Sequence, residues 1–203
     1  MLTLAIQAGG VSSRMERDKA LMSFLGKPLI VRVLERLAPL ADEVIVTTNY
    51  PQNYAFLGLR CVPDLMPGRG ALGGLYTALS AATHPLVAVA ACDMPFASLS
   101  LLEFEHSLLV ESGADAVVPS TVEGLEPLHA VYRREACLPA IQSALEAGKW
   151  KLIVWFPQAN VRVLTPEETA RCNPHDLVFW NLNTPEEFAE AERRAQSLDS
   201  SGL

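Results

Sequence analysis

The sequence predicts an α/β fold, a doubly wound domain in which short strands alternate with helical patterns from residue 2 to about 120. Two observations predict it. Apolar runs of strand length, above all residues 85–91, are bounded by turn signals, which suits strands covered on both faces of a parallel sheet. The first such run, residues 2–8, ends on Gly9-Gly10, a tight turn at a strand's carboxyl end, where α/β proteins hold phosphates.

Taken in order, residues 2–8 predict a central strand and 11–19 a loop. Pro28 suits a first helical turn, and Leu29, Ile30, Val33, Leu34 and Leu37 recur at helical spacing up to Pro39. Residues 43–49 predict the second strand, closed by Asn49-Tyr50-Pro51. Residues 54–57 suggest a short helix, and 60–63 a brief strand followed directly by Asp64. The glycine-rich run 67–74 reads as a second loop, and 75–82 as a helix with Leu75 and Leu79 on one face. The strand at 85–91 ends at Cys92-Asp93-Met94-Pro95. A helix over 99–112, a strand over 114–119, a strand through 128–132 and a helix over 135–147 containing Pro139 follow. Residues 152–156 are ambiguous between helix and strand, with helix preferred, and 160–164 reads as a strand. Thr165-Pro166-Glu167-Glu168 is a capping box with proline at the first helical position. Asn183-Thr184-Pro185-Glu186-Glu187 repeats the device and opens a helix to about residue 195. One domain is expected over residues 1–195, with a frayed tail over 196–203.

Half of the 203 residues are hydrophobic, enough for a substantial core. The net charge of −7, without a basic block, argues against nucleic acid as a partner, although a local basic pocket for one nucleotide remains compatible. Cys61, Cys92, Cys137 and Cys172 form no CxxC pair and read as reduced cysteines rather than a zinc site. There is no signal-peptide pattern and no apolar stretch of bilayer-spanning length, so a cytoplasmic chain without a membrane partner is expected.

The candidate site residues each have a structural reading beside a chemical one. Gly9-Gly10 suits any strand-to-helix turn, and neither GxGxxG nor a P-loop is present. Ser12, Ser13 and Arg14 follow at once, however, offering hydroxyls, amides and a fixed charge. Lys19 is either a surface charge or a point-charge partner for phosphate, and Arg14 suits a forked contact. Asp93, just past an apolar strand, is either a helix N-cap or a carboxylate for magnesium, which needs few protein oxygens when phosphates supply the rest. Asp64 suits capping or base and ribose recognition. Asn49 is a turn residue or a reader of a base edge. Gly68, Gly70, Gly73 and Gly74 make a flexible turn or a close approach to a planar ligand. Asn181 and Asn183, two apart, share a side if extended, where they are neutral partners for metal or phosphate. His84, His106, His129 and His175 lack metal-ligand spacing and no Ser-His-acid order stands out, so hydrolase chemistry is unsupported. His129 is expected near an interface or pocket edge.

Ala8-Gly9-Gly10, Ser13-Arg14-Met15, Asp18-Lys19-Ala20 and Gly26-Lys27-Pro28-Leu29 together resemble the signature of the MobA-like nucleotidyltransferases. Gly70-Ala71-Leu72-Gly73-Gly74 is similar to that family's second glycine loop and Cys92-Asp93-Met94-Pro95 to its metal aspartate segment. Pro127-Leu128-His129-Ala130 resembles its central strand, and the run 181–187 its terminal asparagine motif, so the resemblance spans nearly the whole chain. It implies a three-layer α/β/α Rossmann-like fold with a mostly parallel central sheet. It also implies magnesium-dependent transfer of GMP from GTP to molybdopterin or the molybdenum cofactor. On this resemblance Ala8, Gly9, Gly10, Ser12, Ser13 and Arg14 cradle the triphosphate, Arg14 and Lys19 act in catalysis, and Asp93 anchors magnesium. Asn49, Asp64, Leu72 and Gly73 surround the guanosine, while Lys151, Asn181 and Asn183 face the acceptor. It implies cofactor-handover proteins as partners and a monomer or weak homo-oligomer. The sequence departs from the family pattern at Glu16, where glycine is usual, at Gln7, where an aliphatic residue is usual, and at Ala71, where proline is common. These departures leave open a paralogue using CTP or another phosphorylated acceptor, or a non-catalytic nucleotide-binding protein.

Overall fold

The structure, a computed structural model, describes residues 1–8, 18–173 and 175–200. Strand β1 (Leu2–Gln7) is buried along its whole length. It lies between β4 (Glu43–Thr47) and β6 (Leu86–Ala91), parallel to both. With β5 (Arg60–Val62), β7 (Ala116–Val118), β8 (His129–Arg133) and β9 (Val161–Val163) they form a seven-stranded sheet of order β5-β4-β1-β6-β8-β7-β9. Only β8 breaks the parallel rule, pairing antiparallel with both β6 and β7.

Alternation along the strands sorts side chains into two layers. Leu4 and Ile6 of β1 pack on α1 (Leu29–Leu37) and α3 (Leu99–Ser112), whereas Ala5 packs on α2 (Gly70–Ala81) and α4 (Arg134–Glu146). The sheet is therefore covered on both faces, as the continuous apolar run of β6 requires. Leu29, Ile30, Val33, Leu34 and Leu37 of α1, the five positions of its helical pattern, are all buried. No helix among the described residues is long and apolar enough to cross a membrane. All four cysteines are free.

A hairpin absent from the sequence reading, β2 (Ser23–Phe24) with β3 (Lys27–Pro28), precedes α1 and turns at Leu25 and Gly26, both with positive φ. Residues 54–57 fall inside a 3-10 helix, Pro51–Leu57.

Several expectations are corrected. The second glycine run is not a loop to its end, because α2 begins at Gly70. Gly73 and Gly74 permit close packing instead. A Cβ on Gly73 would stand 2.9 Å from Arg69 Cβ and 3.1 Å from the Met66 carbonyl oxygen. Residues 152–156 form neither an α-helix nor a strand. They make turns leading into a 3-10 helix, Phe156–Gln158, because tertiary packing buries Trp155 completely against Tyr132 and Phe156 without regular periodicity. His129 is not at a pocket edge. It is fully buried, accepting at Nε2 from Ser98 N–H (3.1 Å) with Nδ1 3.3 Å from the equally buried Glu105. Burial pushes His129 down to about 4 and raises Glu105, so the imidazole is neutral.

The helix expected to end near residue 195 is α6 (Pro185–Ser200). Ala191 and Ala195 bury against Phe24, Leu29 and Phe96, and Glu190 pairs with Arg193 and Arg194, which carries the helix further.

Both capping boxes form. Glu168 N–H donates to Thr165 Oγ1 (3.3 Å) and Thr165 N–H to Glu168 Oε2 (2.8 Å) at the start of α5 (Pro166–Arg171). Replacing Thr165 with alanine should therefore lower stability by about 1 kcal/mol. A urea titration reads this as a lower midpoint at constant slope, and an unchanged midpoint would show the box to be energetically silent.

Candidate active site

The carboxyl ends of β1, β4 and β6 face one rim, the place where open α/β sheets bind ligands. Ala8 continues β1, its N–H bonded to Thr47 O at 2.9 Å. Gly9, Gly10, Ser12, Ser13, Arg14 and Glu16 lie outside the described residues. The chain is described again at Asp18, which caps the 3-10 helix Lys19–Leu21: Ala20 N–H donates to Asp18 Oδ1 (3.2 Å) and Tyr54 OH to Oδ2 (2.6 Å). This anchors the base of the Lys19 side chain.

Lys19 Nζ donates to Asn183 Oδ1 at 2.6 Å, joining residues 164 positions apart. Leu182 N–H donates to the Asp93 carbonyl at 3.0 Å, so the asparagine segment is tied to the end of β6. Lys19, Asp93, Asn181 and Asn183 thus meet at one rim. Thr184 and Glu187 form the cap of α6, which leaves the Asn183 side chain for Lys19 and for the Asn181 carbonyl (3.1 Å). Asn181 Nδ2 donates to Phe179 O at 3.2 Å.

Asp93 is half-buried, and among the described residues no cation forms an ion pair with its carboxylate. Desolvation raises its pKa, and the charge of Lys19 counters part of that rise. Groups of three or more His, Cys, Asp or Glu side chains able to hold a metal are absent among the described residues. A single hard-oxygen carboxylate beside a lysine does fit magnesium, which keeps waters and takes its other ligands from phosphate oxygens.

Asn49 and Asp64 clasp each other across the ends of β4 and β5. Asn49 Nδ2 donates to Asp64 Oδ2 (2.8 Å), and Asp64 N–H donates to Asn49 Oδ1 (3.1 Å). Asp64 therefore pairs with Asn49 and caps no helix among the described residues. The clasp uses one donor of Asn49 and leaves the second free for a ligand. Leu65 N–H bonds Thr77 Oγ1 at 3.0 Å, fixing the clasp to α2. Leu72 and Gly73 lie in the first turn of α2, whose N-cap, Arg69, makes no side-chain cap. Its N–H groups suit an anionic or carbonyl partner.

Beside Asp93, a cavity of about 350 Å³ is lined by Asp93, Glu126, Leu152, Ile153 and Asn181. A larger one of about 830 Å³ is lined by Glu126, Thr169, Trp180, Asn181 and Asn183. Asn181 and Glu126 border both. Lys151 is exposed on the turn whose next two residues line the smaller cavity. Glu126, pushed up to about 7 by burial and then by Glu123, escaped the sequence reading. Its only local signal is its place beside Pro127. Tyr54 was missed as the support of Asp18 because nothing local links residues 36 positions apart.

Comparison with known proteins gives this rim a context. The family profile described as the MobA-like NTP transferase domain matches residues 4–161. A probable molybdenum cofactor guanylyltransferase of Pelotomaculum thermopropionicum is 36% identical over 96% of this chain and 94% of its own. The molybdenum cofactor guanylyltransferase of Desulfosudis oleivorans is 32% identical over 94% of each chain. The crystal structure of molybdopterin-guanine dinucleotide biosynthesis protein A from Archaeoglobus fulgidus superposes with a TM-score of 0.83 at 28% identity, covering 96% of this chain and 99% of that one. By a family match over residues 4–161 and by relatives similar along nearly its whole length, this chain belongs to the family of MobA-like NTP transferases.

Proposed function

We infer that this chain transfers GMP from GTP to the terminal phosphate of molybdopterin or the molybdenum cofactor, yielding a guanine dinucleotide cofactor and pyrophosphate. The observation that supports this reading is the junction of Lys19, Asp93 and Asn183, together with the Asn49–Asp64 clasp and the cavity that Asn181 and Asn183 line. The names of the relatives supply the chemistry to test there.

In this reading the loop of Gly9, Gly10, Ser12, Ser13 and Arg14 holds the triphosphate, Arg14 by a forked contact. Asn49, Asp64 and the backbone of Leu72 and Gly73 surround the guanosine. An oxygen of the acceptor phosphate attacks the α-phosphorus of GTP. The new O–P bond forms as the α–β bridging bond breaks, and pyrophosphate leaves with the electron pair. The acceptor is already anionic, so no protein base need remove a proton. Lys19 neutralises charge that grows on the transferred phosphoryl and leaving group. Asp93 would hold magnesium, which when bound supplies charge neutralisation to phosphate oxygens. Asn181, Asn183 and Lys151 orient the acceptor phosphate. The reaction belongs in the cytoplasm, followed by handover of the finished cofactor to a receiving protein.

Incubation with molybdopterin, magnesium and each labelled nucleoside triphosphate, with separation of products, tests the reading. GMP transfer is expected. Exclusive CMP transfer would overturn the guanine assignment, and no transfer from any nucleotide would favour a binding protein.

A further inference from the structure

Gln7 is the last residue of β1, and its side chain lies on the α2 face of the sheet against Gly74. A Cβ on Gly74 would stand 2.8 Å from Gln7 Oε1, so the room for this amide exists because residue 74 has no side chain. Gln7 is 9% exposed, yet its Nε2 is buried without a hydrogen-bond partner among the described residues. A buried donor left unpaired is costly, and an aliphatic side chain of similar size would avoid the cost altogether. A buried group of this kind calls for an explanation, a missing ligand among them. Glu105 Oε2, Trp155 Nε1 and Thr169 Oγ1 are also unpartnered among the described residues. Only Gln7 of these stands where β1 meets the amino-terminal turns of α2, the helix to which the Asn49–Asp64 clasp is bonded.

We propose that Gln7 reads the base, its carboxamide pairing with the O6 and N1–H of guanine. This rests on the guanylyl-transfer reading and adds the group that chooses the nucleotide. A carboxamide sets one donor beside one acceptor. Guanine sets an acceptor, O6, beside a donor, N1–H, so Nε2 donates to O6 while N1–H donates to Oε1. Adenine and cytosine present the opposite order, an amino donor beside a ring-nitrogen acceptor. Either would require the amide to turn over beside Gly74 or leave buried polar atoms unpaired, which sets the preference at the scale of one net hydrogen bond. The same contact therefore separates GTP from CTP, the nucleotide of the main competing reading. Gln7 is thus a gain in selectivity at a position where the family resemblance leads one to expect an aliphatic residue.

Equilibrium titrations of GTP, ATP and CTP with wild type, Gln7→Leu and Gln7→Met test this. Wild type should prefer GTP, and both variants should lose about tenfold of that preference, the factor for one net hydrogen bond, while folding at least as stably. A second measurement needs no variant. The triphosphate of 2-aminopurine riboside keeps the purine and its 2-amino group but lacks O6 and N1–H. It should bind wild type about tenfold more weakly than GTP. Variants that keep the full GTP preference, or equal binding of the analogue and GTP, would overturn the role of Gln7 while leaving guanylyl transfer intact. A wild type that binds CTP or ATP as well as GTP would overturn both.

Discussion

Replacing Asp93 with asparagine should reduce transfer by about 10³-fold or more, the scale of losing a main electrostatic stabiliser, without harming the fold. The side chain is nearly isosteric, and the contact that ties Asp93 to Leu182 uses the backbone carbonyl, which the substitution keeps. Burial raises the Asp93 pKa above its ordinary value, with Lys19 offsetting part of that. A carboxyl whose folded pKa is raised favours the fold only while protonated. That contribution is present below the unfolded value of about 3.9 and is lost as pH rises through the folded value. At pH 7 the ionised wild-type group thus opposes folding, and asparagine removes that opposition. Thermal melts should place the variant at or above wild type at pH 7, with the gap closing towards pH 4. A charge kept against stability is the pattern expected of a functional group. Full activity at unchanged magnesium would rule out Asp93 as the metal anchor, and a melt well below wild type would show that it is structural.

Legibility in the sequence followed how local each cause is. The apolar run of β6, the helical spacing of α1 and the capping box at Thr165 are set by residues within a few positions, and all appear where expected. Orientation was not legible. The run through 128–132 reads as a strand, but its antiparallel place between β6 and β7 depends on the path of the connecting segment. The glycines of 70–74 read as a loop because composition reports low helix propensity. The purpose of Gly73 and Gly74 is steric, set by Met66, Arg69 and Gln7, whereas Gly70 supplies a positive φ at the helix start. Trp155 misled the reading of 152–156, since its burial is a tertiary fact with no period.

The candidate site divides the same way. Asp93 is conspicuous at the end of an apolar strand, and Asn181 and Asn183 are conspicuous by their spacing. Which of them serve each other is written only in space. The Asn49–Asp64 clasp and the Lys19–Asn183 bond join distant segments, and they change the chemistry available. Part of each asparagine is already used, so fewer donors remain for ligands than a count of residues suggests. Gln7 is the opposite case. Its polarity is visible in the sequence, but its meaning depends on an unpaired nitrogen that only the packing against α2 exposes.

Lys19→Ala should lower kcat by about 10²–10³-fold, because the role assigned to the ammonium is greatest in the transition state. The expected structural cost is small. The Lys19–Asn183 hydrogen bond is exposed, and Asp18 still caps the 3-10 helix through Ala20 N–H, so about 1 kcal/mol or less of stability is at stake. Unchanged turnover would eliminate the electrostatic role. Asn183→Ala separates holding the charge from supplying it, since the lysine remains but loses its 2.6 Å acceptor. If Asn183 acts by aiming Lys19, its single variant loses less than Lys19→Ala, and the double variant is no worse than Lys19→Ala alone. If Asn183 instead binds the acceptor phosphate through its own amide, the two losses add. The oxygen already accepts from Lys19, while the amide nitrogen gives one N–H to the Asn181 carbonyl and keeps a second for the acceptor phosphate, so the double variant weighs the two roles against each other. Additive losses in kcat, with stability unchanged, would move Asn183 from positioning the lysine to binding the acceptor.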